Sequence, residues 1–277
     1  MLMPWFVGCS AVRLSYNNGA TIGYFWLDGY ADFTSEQAPR IKAALADWFS
    51  WHRATQLGDY ASALADLGAM AAKPVTAAAA CSTYEAWQQR FATAFERAVP
   101  ALADQARTLS PAQITHLEAK LAERLADLRT EHLATDPAER QQRSLSRTVD
   151  RAETFYGTLD DAQRLLLAKG LQASPFDAER WLAERARRNN EIVRSLRQWQ
   201  TERADTATVQ AGLRRLGAEM LQSPRADYQT YNLKLVHANC ALVARLHAST
   251  TPGQRQRAAD KLKGWEDDLR ALAAQQR

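Results

Sequence analysis

The sequence has no stretch of about twenty apolar residues, which excludes a membrane-spanning helix. It is poor in turn formers, with 12 glycines and 9 prolines in 277 residues, too few to punctuate a sandwich or barrel of many short strands. No run of alternating β-branched residues bounded by turn chemistry occurs either, so no sheet is expected. Nucleotide and nucleophile signatures (P-loop, G-x-G-x-x-G, G-x-S-x-G) are missing. So are H-E-x-x-H and paired C-x-x-C. The five histidines, His52, His116, His132, His237 and His247, are scattered; His237 and Cys240 lie one helical turn apart, but two donors do not make a metal site. No catalytic residue, metal or cofactor is therefore expected, and an enzyme built from dispersed carboxylates stands only as a third reading. Charge of one sign is also lacking: Lys plus Arg is 35 against 31 for Asp plus Glu. Because both signs are mixed along the chain, no nucleic-acid partner is expected.

What remains is the composition of long helices. Ala, Leu, Arg, Gln and Glu dominate, hydrophobic residues make up 46%, and the mean hydropathy is −0.42. Ile114, Leu117, Leu121, Leu125 and Leu128 recur at spacings of three and four, as do Ile41, Leu45, Phe49, His52, Tyr60, Leu64 and Leu67. Tyr228, Tyr231, Leu235, Leu242 and Leu246 repeat the pattern late in the chain. Each series lines one face of a helix.

Helix starts share one unit, a cap residue followed three positions later by Gln: Thr34 and Gln37, Ser110 and Gln113, Asp160 and Gln163, Thr251 and Gln254. The cap oxygen accepts from the N3 backbone N–H, and Gln reaches back to the cap N–H. Pro111 and Pro252 sit where a missing N–H costs nothing. D-P-A-E at 136–139 and S-T-Y-E at 82–85 read as further capping boxes. The starts fall near Asn17, Glu36, Thr83, Pro111, Pro137, Asp161, Asp177, Thr206, Arg225 and Pro252. The expected fold is all-α, an elongated multi-helix bundle of about eight to ten helices with no sheet. The segment beginning at Ser110 aligns with that beginning at Thr251, matching Pro, Gln, Lys and Leu at equal offsets; duplication and shared cap grammar both account for it. Residues 71–82, rich in alanine, read as a loop or hinge.

The first residues, M-L-M-P-W-F-V-G-C, are an apolar run ending in a glycine and a cysteine. They lack the basic n-region of a signal and start abruptly, as the tail of a longer leader would. F-V-G-C resembles a bacterial lipobox, which implies diacylation of the Cys9 thiol; a free cysteine near the terminus is the alternative. Ser10 after it, rather than Asp, is the residue expected for delivery to the outer membrane. Residues 1–8 are thus expected to be a residual signal segment, 9–16 a lipidated cysteine and tether, and 17–277 a single helical domain.

The motifs that follow strengthen this. C-S-A-V-R-L-S-Y-N-N at 9–18, L-D-G-Y at 27–30, L-S-P-A-Q at 109–113, L-D-D-A-Q-R at 159–164, S-P-F-D-A-E-R-W-L-A-E-R at 174–185 and K-L-K-G-W-E-D-D-L-R at 261–270 together resemble a family of uncharacterised proteobacterial lipoproteins. The resemblance covers nearly the whole chain. It implies a helical envelope lipoprotein on the periplasmic face of the outer membrane, and no activity. The L-x-x-x-Q starts are also similar to the L-T-x-x-Q repeats of small stress-induced periplasmic chaperones.

The leading functional expectation is a lipid-anchored helical binding module, chaperone-like in its client surface, with the membrane and an unfolded or folded protein as partners. A structural lipoprotein that contacts anionic cell-wall or lipopolysaccharide groups through its arginines is the alternative. Trp26, Tyr30, Trp48, Trp51 and His52 are the candidate partner surface; the competing reading places these aromatic stripes in the core. In the arginine-rich stretch 181–197, Glu184 meets Arg187 and Arg188 at three and four residues, which reads as a solvated, ion-paired helix face. With Cys9 acylated, Cys81 and Cys240 remain, as a disulfide of an oxidising compartment or as two buried thiols.

Overall fold

The computed structural model describes residues 10–133 and 136–275; Cys9 and the 1–8 segment lie outside the described residues. Among the described residues there are twelve helices and no strand: α1 (Ala11–Asn17), α2 (Gly19–Ala31), α3 (Ala38–Thr55), α4 (Leu57–Ala71), α5 (Ala77–Ala106), α6 (Pro111–His132), α7 (Pro137–Tyr156), α8 (Asp161–Gln172), α9 (Ala178–Thr201), α10 (Thr206–Leu221), α11 (Ala226–Ser249) and α12 (Pro252–Ala274).

The fold is all-helical, but twelve helices replace the expected eight to ten. A further helix ahead of the start expected near Asn17, and a break at Gln56 that an apolar stripe runs straight through, raise the number. Asn18 (φ −98°, ψ 7°) separates α1 from α2, and Gln56 (φ −110°, ψ −35°) separates α3 from α4. At each break a glycine follows closely, Gly19 and Gly58, and the i→i−4 bonds continue across it, from Asn18 to Leu14 and Ile22 to Asn18, and from Tyr60 to Gln56. The stretch expected as a tether is helical from Ala11 onward, because the Ser10 hydroxyl accepts from the Arg13 N–H and caps α1. S-T-Y-E at 82–85 starts nothing: Thr76 accepts from the Ala79 N–H and opens α5 six residues earlier, so the expected loop narrows to the residues before Thr76.

The Gln caps form, and they do more than start helices. Full reciprocal boxes stand at Ser110, Asp160 and Thr251, and Thr34 and Gln37 exchange the same two bonds just ahead of α3. The four boxes then pair. Gln113 Nε2 donates to Gln37 Oε1 at 2.7 Å and to the Asp32 carbonyl at 2.9 Å, while Gln37 Nε2 donates to the Thr108 carbonyl at 3.0 Å. Gln163 Nε2 donates to Gln254 Oε1 at 2.8 Å and to the Ser249 carbonyl at 3.1 Å, and Gln254 Nε2 returns bonds to Gln163 Oε1 and the Thr158 carbonyl at 2.9 and 3.0 Å. In all four cases the accepting carbonyl lies two residues before the partner helix's cap. One clasp thus joins the starts of α3 and α6, and another those of α8 and α12.

The apolar side chains collect in three buried patches. Ala103, Ile114, Trp199, Val209 and Leu216 join α5, α6, α9 and α10; Val149, Leu167, Leu242 and Leu246 join α7, α8 and α11; Leu64, Ala258 and Leu262 join α4 to α12, with Trp87 and Trp265 against them. The accessible surface is 16508 Å², above the roughly 12,000 Å² of a compact monomer of this mass.

Candidate binding groove

The five aromatic candidates do not share a surface. Trp48, Trp51 and His52 on α3 pack inward: Trp48 Nε1 donates to the Ala94 carbonyl at 3.0 Å, and its ring stacks on His52 at 4.7 Å. Trp51 stands 6.1 Å from Trp48 with Arg97 over its ring, and His52 is only 7% exposed. Trp26 and Tyr30 pair with each other on α2 at 5.1 Å. Of the five, Trp26 is the one that stands largely in solvent, 63% exposed. The helical spacing was common to both readings, and burial separates them.

His52 is the hub of the inner cluster. Tyr60 packs edge-on to it at 5.2 Å, Trp87 packs on Tyr60 at 5.5 Å, and the Tyr16 hydroxyl lies 2.8 Å from Nδ1. Burial pushes Tyr16 up to about 12 against the pull of Arg53, so this phenol keeps its proton beside Nδ1. Burial lowers His52 to about 4. Its stabilising contribution is therefore complete above the unfolded value of 6.5 and is lost as the pH falls toward 4, at up to about 1.4 kcal/mol per pH unit, since only the unfolded chain takes up the proton in that window. Denaturation midpoints of the wild type and a His52→Gln variant should differ at pH 7 and converge toward pH 4. Parallel pH profiles would rule out a buried neutral His52.

Trp87 carries this cluster to the surface, where a groove of about 400 Å³ opens. Tyr84, Trp87, Gln88 and Phe91 line it from α5, at offsets of three, four and seven; Tyr228, Asn232 and Leu235 line it from α11; Met220, Leu221, Trp181 and Arg188 complete it. Tyr84 is 43% exposed, Phe91 48% and Met220 48%. Large apolar side chains that remain open to water side by side mark an interaction surface. Cys81, one turn before Tyr84, is bonded to Cys240, five residues after Leu235, with a Cα–Cα distance of 5.5 Å. This disulfide ties the two walls together beside the groove. It also removes Cys240 as a thiolate partner for His237.

The charged member of the groove is Arg188. Its Nε donates to Glu184 at 3.2 Å and its guanidinium stands 5.9 Å from the Tyr228 ring. Its two terminal amino groups meet no protein acceptor among the described residues. Glu184 is not on a solvated face: it is 1% exposed, held by Arg187 at 3.1 Å and approached by Arg225 at 3.9 Å. Burial would raise its pKa, but hydrogen bonds from Arg187 and Ser223 and the charges of Arg187 and Arg188 outweigh that and hold it below the usual carboxylate range. Further pairs extend the network through Glu219 and Asp227 to Arg215 and Arg180. Arg188 is thereby fixed by a buried anion and presents a directed donor fork to the groove.

Sequence reading missed Tyr84, Trp87, Phe91 and Met220 as surface residues; for the first three, their offsets on α5 were the available signal. The curated proteins hold no significant match to the chain, and neither do the solved structures. A match does exist at the level of family, over residues 29–223, which contain α3 to α10 and hence three of the groove's four contributing helices. Since that is well over half of the sequence, the chain belongs to the family of unknown function DUF6279.

Proposed function

We propose that this protein is a lipid-anchored helical module of the bacterial envelope, held on the periplasmic face of the outer membrane through Cys9, which binds an apolar segment of a protein client. The observation that carries the reading is the groove. Tyr84, Trp87, Phe91, Met220 and Tyr228 offer rigid apolar contact, and Arg188 offers the charged donor that an acidic or carboxylate-bearing segment requires. A helical fold with several small cores suits a client surface better than an enclosed catalytic pocket, and no catalytic activity is proposed. The lipobox-like F-V-G-C and the L-x-x-x-Q helix starts support the envelope address and the chaperone-like character.

The test is suppression of aggregation of an unfolded model substrate at near-stoichiometric ratio. The wild type should slow it, and a Phe91→Ser/Met220→Ser variant should lose most of that effect with little change in melting, because both side chains are already half in water. A wild type without effect, or a variant as active as the wild type, defeats the reading. One cluster favours the second reading, contact with anionic envelope groups. Arg185 lies over Trp181 at 4.3 Å, His132 packs on the same ring at 5.0 Å, and Arg185 and Arg151 form no ion pair among the described residues. Binding through these arginines would fall steeply with salt, whereas groove binding would not.

A further inference from the structure

We propose that the outer face of α1 and α2 is a lipid-contact surface that lays the protein against the bilayer. The proposal rests on the anchoring at Cys9 proposed above and adds a second, independent point of membrane contact. Because the backbone bonds run on across Asn18, α1 and α2 form a nearly continuous two-faced helix. Its inner face packs on α3: the Tyr16 ring meets Phe49 edge-on at 5.6 Å, Tyr24 is buried, and Gly19 and Gly23 let Phe49 and Leu45 approach the backbone. A Cβ at Gly19 would stand 2.4 Å from the Phe49 ring.

The outer face carries Leu14, Ile22, Phe25 and Trp26, at 60%, 55%, 66% and 63% exposure. Around them stand Ala11, Ser15, Asn17, Asn18, Thr21 and Gly29, and no charged residue is among the exposed positions of these two helices. The stretch contains only two charges, and both are engaged elsewhere: Arg13 pairs with Asp268 at 3.0 Å, and the Asp28 carboxylate accepts the Phe33 N–H at 2.9 Å.

Two arguments commit the face to lipid. Its composition, Trp and Phe beside Leu, Ile and small polar residues, is that of a segment lying in the membrane interface. In addition, Cys9 directly precedes the cap residue of α1. An acyl chain on Cys9 leaves no linker between the bilayer and this helix.

The experiment uses the full chain with Cys9→Ser, which cannot be acylated, sedimented with vesicles of equal parts phosphatidylethanolamine and phosphatidylglycerol. The chain should bind them, and adding Phe25→Ser and Trp26→Ser should weaken binding about tenfold or more with an unchanged melting curve, since both residues stand in solvent. Ile22→Ser alone should give a smaller loss in the same direction. Absence of vesicle binding by the Cys9→Ser chain, equal binding by the aromatic variant, or self-association that the aromatic variant abolishes would each overturn the proposal. The anchor is tested separately: in cells, with a complete signal in front, the wild type should fractionate with membranes more firmly than Cys9→Ser, and a soluble wild type would remove the anchor while leaving the vesicle result intact.

Discussion

Removing the Cys81–Cys240 disulfide is expected to cost up to about 5 kcal/mol of stability, the chain-entropy value for cross-linking residues 159 apart in sequence. The figure is an upper bound, because residual structure in the unfolded chain shortens the loop that the bridge closes. A Cys81→Ala/Cys240→Ala variant should show its denaturant midpoint lowered well beyond what the truncation of two small side chains, one buried and one half-buried, explains. The same variant should bind a client less tightly, since α5 and α11 carry opposite walls of the groove and the bridge stands beside it. An unchanged midpoint in the unreduced wild type and the double alanine protein would mean that the two thiols contribute only as small buried side chains.

Local grammar made most of the fold legible, because a helix start is decided within four residues. The starts at Pro111, Pro137, Asp161, Thr206 and Pro252 stand where the sequence puts them, each with its cap side chain bonded to the first turn. The break at Gln56 escaped notice because the apolar period passes through it without a phase change; near Asn17 the sequence marked a helix start, and what it missed was the helix α1 in the residues read as a tether. Thr76 outcompeted Ser82 as a cap for α5 by lying upstream in an alanine-rich run that is itself helix-forming.

The site was less legible, for a reason that local sequence does not contain. Tyr84, Trp87 and Phe91 show the same spacing as Trp48 and Trp51, and a stripe tells which side chains share a face, not whether another helix covers it. Trp48 and Trp51 are covered by α5 and their own aromatic neighbours; Tyr84 and Phe91 are not. Glu184 shows the same limit. Its pairing with Arg187 and Arg188 follows from spacing alone, but its burial comes from Ser223 and Arg225, residues roughly forty positions away.

The clasp between α8 and α12 should be the most sensitive polar feature of the fold. Gln163 is 1% exposed, and its side chain makes four bonds: to the Ser249 carbonyl and Gln254 Oε1 as donor, from the Asp160 N–H and Gln254 Nε2 as acceptor. Gln163→Leu keeps the volume and removes all four, leaving a helix-cap N–H, a carbonyl and half of the Gln254 amide without partners; the two bonds to Gln254 are fully buried and the other two part-buried. At about 1–3 kcal/mol for each stranded buried group, and with incomplete additivity among neighbours, the cost is roughly 3–5 kcal/mol. The clasp between α3 and α6 supplies the internal comparison. Its Gln37 is only half-buried, so water can replace lost partners and Gln37→Leu should cost about 1 kcal/mol or less. Denaturation of the two single variants should separate them by several-fold in free energy. The double variant Gln163→Leu/Gln254→Leu should cost less than the sum of its singles, because the second substitution removes an amide that had already lost its bonds to Gln163. Equal costs at Gln37 and Gln163, or strict additivity of Gln163 and Gln254, would show that the reciprocal amides do not act as one unit and that the helix starts are held by their apolar surroundings alone.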